Sequence, residues 1–167
     1  MTMFLLLTSL AAASDVTPQN WQTHPEITEI RILRKTVEKE SAHPTWRTTK
    51  ENLATCVGQY VKKRATAQDQ KGTIRRYKAE GSQEGIAFWT TQYYDNDGKL
   101  RFVHLKLTHT ESDATANYTS FLDVHGDRLF EHVQRITDDE KLLPSGVPEK
   151  YIMARPDQIM ANKSPCG

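Results

Sequence analysis

The run Asp95-Asn96-Asp97-Gly98 begins like a calcium-binding loop, with three oxygen-bearing side chains leading into a glycine. Such a loop closes on a bidentate glutamate, and none follows at the required place. The same residues make a tight turn without an ion, since aspartate accepts from turn N–H groups and glycine takes the left-handed position. Six histidines (His24, His43, His104, His109, His125 and His132) could ligate zinc or relay protons. A zinc site needs three or four ligands that converge, and their spacing brings no three together. They are read as structural or surface histidines, so no metal and no cofactor is expected. The sequence has no phosphate-cradling glycine loop, no Gly-x-Ser-x-Gly elbow and no His-Glu-x-x-His zinc helix. Catalysis is therefore not the expected activity. A cell-wall or glycan hydrolase would need carboxylates from distant turns to meet in one cleft.

Charge offers a different chemistry. The total is almost balanced, 22 Lys and Arg against 21 Asp and Glu, which argues against a uniformly basic nucleic-acid binder. Along the chain the balance separates. Residues 45–80 hold nine basic residues against three acids, a net of +6, whereas residues 110–140 hold eight acids against two arginines, a net of −6. Lys62, Arg64, Arg76 and Lys78 alternate in the basic segment and are expected to form a basic patch on one sheet face. That patch would dock an anionic partner, either a protein or an envelope component.

These side chains need a scaffold, and the repeat pattern supplies one. Asp69-Gln70-Lys71-Gly72, Asp95-Asn96-Asp97-Gly98 and Asp123-Val124-His125-Gly126 share Asp-x-x-Gly followed by an alternating run, at offsets of 26 and 28 residues. Each motif predicts a hairpin, spanning about 58–80, 85–109 and 115–136, and three in series predict an antiparallel meander of six or seven strands. Strong curvature or closure into a barrel is compatible with this pattern. Ahead of the meander, Ile27, Ile30, Leu33 and Val37 recur at helical spacing. Thr23 and Glu26 form a capping-box pattern, and Arg34 and Glu38 make an i,i+4 pair. The fold class is thus α+β, mainly antiparallel β: an N-terminal helix packed on the meander, with an irregular proline-containing tail over 137–167.

Setting Asp95 opposite Lys99 pairs Tyr93 with Arg101, Thr91 with Val103, Trp89 with Leu105 and Ala87 with Leu107. That face is assigned to the core. The other face then carries Phe88, Tyr94, Phe102 and His104, a mixture of aromatic and polar groups suited to an interface. A one-residue slip would exchange the two faces.

The ends of the chain indicate its compartment. Residues 1–14 run from an apolar stretch into small residues, as a secretory signal does, leaving about 153 residues, 15–167, as a single domain. No apolar run approaches the roughly 20 residues of a membrane-spanning helix. The two cysteines, Cys56 and Cys166, are expected to pair in an oxidising compartment. The bridge would close a loop of about 110 residues, worth on the order of 4–5 kcal/mol. The expected protein is a small secreted or periplasmic binding protein of the inhibitor, immunity or accessory kind, with no nucleic-acid partner. A carrier of a small apolar ligand held between helix and sheet is the alternative. Thiol titration of the unfolded, unreduced mature chain is expected to find no free thiol; two would remove the bridge.

Overall fold

A computed structural model describes residues 15–56, 60–136 and 142–157. Residues 1–14, with the expected signal, and Cys166 lie outside the described residues, while Cys56 is buried. One helix, α1 (Pro25–Glu40), precedes seven strands: β1 (Arg47–Asn52), β2 (Val61–Gln68), β3 (Ile74–Gln83), β4 (Ile86–Tyr94), β5 (Leu100–His109), β6 (Thr115–Leu122) and β7 (Arg128–Arg135). The strands form one antiparallel sheet in chain order, and it is open rather than closed into a barrel.

The helix starts one residue later than the capping-box reading requires. His24 is the N-cap and makes no side-chain cap bond, with Pro25 at the first helical position. The Thr23 hydroxyl instead donates to the Asn20 carbonyl at 3.3 Å. Ile27, Ile30 and Val37 are buried, as the 3.6-residue stripe requires.

The three aspartate turns have the same geometry. Oδ1 of Asp69, Asp95 and Asp123 each accepts from the N–H groups two and four residues on, at 2.7–3.0 Å. Gly72, Gly98 and Gly126 have φ of 82°, 77° and 95°, which glycine adopts without a Cβ penalty. Just beyond each turn the register shifts by one residue, between Ala67 and Gln68, Tyr93 and Tyr94, and Phe121 and Leu122. The extra residues in these bulges are Arg75, Arg101 and Leu129. Arg75 Nε donates to the Tyr94 carbonyl at 3.1 Å, and Arg101 Nε to the Leu122 carbonyl at 3.0 Å. Each bulge arginine therefore fastens its hairpin to the next, while its Nη1 lies 3.3 or 3.7 Å from the carboxylate of its own turn, Asp69 or Asp95.

The bulge corrects the expected register. Tyr94 pairs with Leu100, but Tyr93 then pairs with Phe102, Thr91 with His104 and Trp89 with Lys106. Tyr93, Phe102 and Phe121 lie under α1 with Ile27, Ile30 and Val37, forming one core layer. On the opposite face Tyr77, Phe88, Tyr94, Leu105, Leu107 and Tyr118 pack with Leu143, Val147 and Tyr151 of the segment that follows β7.

Polar anchors hold that segment in place. Gln92, fully buried, donates from Nε2 to the Tyr151 carbonyl at 2.7 Å and to Thr90 Oγ1 at 3.1 Å, and its Oε1 accepts from the Met153 N–H at 2.8 Å. The Tyr94 hydroxyl donates to the Met153 carbonyl at 2.6 Å and lies 3.2 Å from Gln92 Oε1. Burial, with a lesser push from Tyr77, raises the ionisation of Tyr94 well above the ordinary tyrosine range, so it remains a donor. Tyr118 donates to the Pro144 carbonyl at 2.8 Å and Arg128 to the Val147 carbonyl at 2.7 Å. Replacing Gln92 with leucine keeps the volume but orphans buried groups at Tyr151 and Met153. Gln92→Leu is expected to cost about 2–4 kcal/mol in urea unfolding and to speed proteolysis within 142–157. An unchanged midpoint would show that the amide does not hold the segment.

Candidate functional site

Side-chain parity along the strands divides the helix-side face into rows that cross all seven strands. The row beneath α1 reads Thr48, Ala67, Arg76, Tyr93, Phe102, Phe121 and Phe130. The next reads Lys50, Ala65, Lys78, Thr91, His104, Thr119 and His132. The third reads Asn52, Lys63, Glu80, Trp89, Lys106, Asn117 and Gln134. No residue of the second and third rows is buried; Trp21 stacks on His132 at the β7 end and Glu38 reaches Lys78 at the border with α1. Trp89, placed in the core by the unshifted register, is 43% exposed here, with Lys106 Nζ 5.3 Å from the centre of its ring.

An open groove of about 450 Å³ runs along the β1–β4 part of these rows, walled by Lys50, Lys63, Lys78 and Trp89. Lys63 lies 2.7 Å from Glu80, so that pair is internally neutral. Among the described residues Lys50 and Lys106 make no ion pair. The positive charge left without an ion-pair partner rests on Lys50 and Lys106, while Lys78 shares Glu38 of α1 with Arg76.

At the border with the helix-covered row, Glu38 of α1 accepts from the Tyr93 hydroxyl and from Arg76 Nη1 at 2.6 Å, with Lys78 at 3.8 Å. The expected Arg34–Glu38 pair does not form; Arg34 instead lies over the Phe102 ring at 5.1 Å. Desolvation alone would raise the Glu38 pKa, but the Tyr93 hydrogen bond and the charges of Arg76 and Lys78 outweigh it and hold the carboxyl below its ordinary value. His104, in the second row, is held below the usual histidine range by desolvation and then by the charge of Arg34.

The sequence-derived sites are divided by this arrangement. Phe88 and Tyr94 are buried under the 142–157 segment, Phe102 is buried under α1, and only His104 of that group reaches the open rows. Of the basic group, Lys78 lies in the open rows, Arg76 is engaged by Glu38 and Ser41, and Arg64 lies on the opposite face, paired with Glu51. Lys62 is half-buried beside a register irregularity between Val61 and Lys63. Trp89, Lys50, Lys63 and Lys106 were missed. The signal that could have found them is Arg101, which the unshifted register sets opposite Tyr93 in the core, where an unpaired charge is costly. Among the described residues no three His, Cys, Asp or Glu side chains gather as a metal site. No family model, curated protein or solved structure matches the chain.

The depressed Glu38 pKa fixes the sign of a pH effect. Its contribution to stability is complete above the unfolded glutamate value of about 4.3 and is lost as pH falls through the lower folded value. Since Glu38 is partly solvent-exposed, Glu38→Gln is expected to cost up to about 1 kcal/mol at pH 7. The difference from wild type should shrink on acidification through that range; a gap independent of pH would exclude the carboxylate as its source.

Proposed function

We propose that this chain is a small, exported, non-catalytic binding protein that docks an anionic partner on the uncovered rows of its helix-side sheet face. The observation that carries the proposal is the pair of rows with no buried residue, whose unpaired charge is positive. The run of three similar hairpins, read as copies of one unit, extends those rows across the sheet. Export rests on the signal-like residues 1–14 and on the expected Cys56–Cys166 bridge, which would tie the C-terminal end to the body. The partner class is a protein or an anionic envelope component, as for an inhibitor, immunity or accessory protein.

The packing of the molecule favours this reading over the two others. A carrier needs space between α1 and the sheet, but Ile27, Ile30 and Val37 meet Tyr93, Phe102 and Phe121 there with every one of these side chains buried. A hydrolase needs free, convergent carboxylates, whereas Asp69, Asp95 and Asp123 spend Oδ1 on their own turns.

Retention of an envelope or extracellular extract on the immobilised mature chain tests the proposal. The triple variant Lys50→Glu, Lys78→Glu, Lys106→Glu is expected to lose the material retained at low salt, and wild type should release it as ionic strength rises past about 0.15 M, where the Debye length is about 8 Å. A control with Lys71→Glu and Lys99→Glu at the turns should retain it. Equal retention by the triple variant, with its melting temperature unchanged, would overturn the assignment of the face.

A further inference from the structure

We infer that the ligand of this face is a linear acidic polysaccharide, a sugar chain bearing carboxylates at regular intervals, laid across the strands from β1 to β5. This inference rests on the docking-face reading and names its ligand class.

The spacing of charge is the first argument. Lys50, Lys78 and Lys106 stand on β1, β3 and β5, alternate strands of the sheet. Lys50 and Lys78 share a row two strand spacings apart, about 10 Å, and Lys106 lies two strands further on and one row along, about 12 Å from Lys78, which is the scale of a disaccharide. A chain with one carboxylate on every second sugar would meet one lysine per charge. Lys63 on the intervening β2 is neutralised by Glu80, and Glu80 would repel a chain charged at every sugar. A nucleic-acid strand carries a phosphate about every 3.4 Å, which three widely spaced lysines, one of them shared with Glu38, and an acid do not match.

The surface between the lysines is the second argument. Trp89 on β4 presents a half-exposed indole between Lys78 and Lys106. The apolar C–H face of a sugar ring packs on such a ring, and Lys106, already against the indole, would be placed to meet the carboxylate of the stacked sugar. Along the same rows, Thr91, Asn52, Thr119 and Asn117 offer both donors and acceptors, which suits hydroxyl groups that themselves do both. A protein partner would call for an apolar centre ringed by polar residues; apart from Trp89, the open rows hold no large apolar side chain.

The test is a titration of the 15N-labelled mature chain, followed by amide chemical shifts. The acidic probe is an octasaccharide of alternating glucuronic acid and N-acetylglucosamine; the neutral probe is a chitin octasaccharide. The acidic probe is expected to shift the amides of Lys50, Lys78, Trp89, Thr91 and Lys106 in a salt-dependent way, and the neutral probe to leave them in place. Trp89→Ala and Lys78→Ala should each weaken binding roughly threefold to tenfold with the melting temperature unchanged. Equal shifts with the neutral probe, shifts confined to the turn end of the sheet, or no shifts at all would overturn the inference. A glutamate octapeptide separates the two readings. If it shifts these rows and the acidic sugar does not, the ligand class falls while the docking face stands. If neither does and the triple lysine variant still retains the extract, both fall.

Discussion

One extra residue after each aspartate turn decides which side of the sheet every downstream side chain faces. In a strand the side-chain period is two, so a single inserted residue exchanges the faces of one strand relative to its partner. With Arg101 taken up in the bulge, Phe102 joins Tyr93 beneath α1, and Val103, Leu105 and Leu107 join Tyr94 and Phe88 on the other side. Without it, Arg101 would be driven into a core position and Trp89 would be buried opposite Leu105. The bulge also gives the arginine a task. Its guanidinium reaches the carbonyl at the end of the neighbouring hairpin and lies near its own turn carboxylate, so the residue that sets the register also joins consecutive hairpins. In the last hairpin the corresponding residue is Leu129, on the edge strand, where no further hairpin needs fastening.

Once the faces are set, the two sides of the sheet are covered by different means. On one side α1 supplies an apolar stripe, and the contact is mostly dispersion and desolvation. Tyr93, Phe102 and Phe121 meet edge to face, with ring centres 5.7 and 5.2 Å apart, a favoured aromatic geometry. On the other side the described cover, 142–157, holds a 3-10 turn at Glu149–Tyr151 and is irregular over most of its length. Its backbone groups need partners once buried, and the sheet provides them from side chains. Gln92 takes the place of a neighbouring strand, donating to one backbone carbonyl and accepting from the N–H two residues on. A buried amide serves well here because it offers donors and acceptors at once, and both its ends are used.

How much of this could be read in the sequence depends on the range of the interaction concerned. The helix, the meander and the three turns follow from local signals: a 3.6-residue stripe, and Asp and Gly at fixed offsets. These are settled within a few residues and the structure reproduces them. The faces were not legible to the same degree, since they depend on a bulge whose only trace is an arginine at an otherwise apolar position. The role of Gln92 left no trace either, because its partners at Tyr151 and Met153 lie about sixty residues away. The expected single face for the basic residues does not form, for a related reason. Lys62, Arg64, Arg76 and Lys78 alternate correctly within each strand, but alternation within two strands does not fix their mutual phase. That phase is set by cross-strand registers, which place Arg64 and Lys78 on opposite faces.

The open rows follow from geometry rather than from a missing element. A helix of 16 residues is about 24 Å long, five strand spacings, against about 29 Å between the outer two of seven strands. Lying across the sheet, it reaches from Arg76 on β3 to Phe121 on β6 but is only about 10 Å broad, whereas strands of eight to ten residues run about 27–34 Å. One helix therefore covers roughly a third of the face, and the remainder has to be stable in water by its own composition. The sequence makes this change within two residues on each strand from β4 to β7. Tyr93 gives way to Thr91, Phe102 to His104, Phe121 to Thr119 and Phe130 to His132. A purely protective surface would satisfy solubility with charge of either sign. Here three lysines on alternate strands and an exposed tryptophan are added to that polar background, and solubility alone requires neither the regular spacing nor the ring.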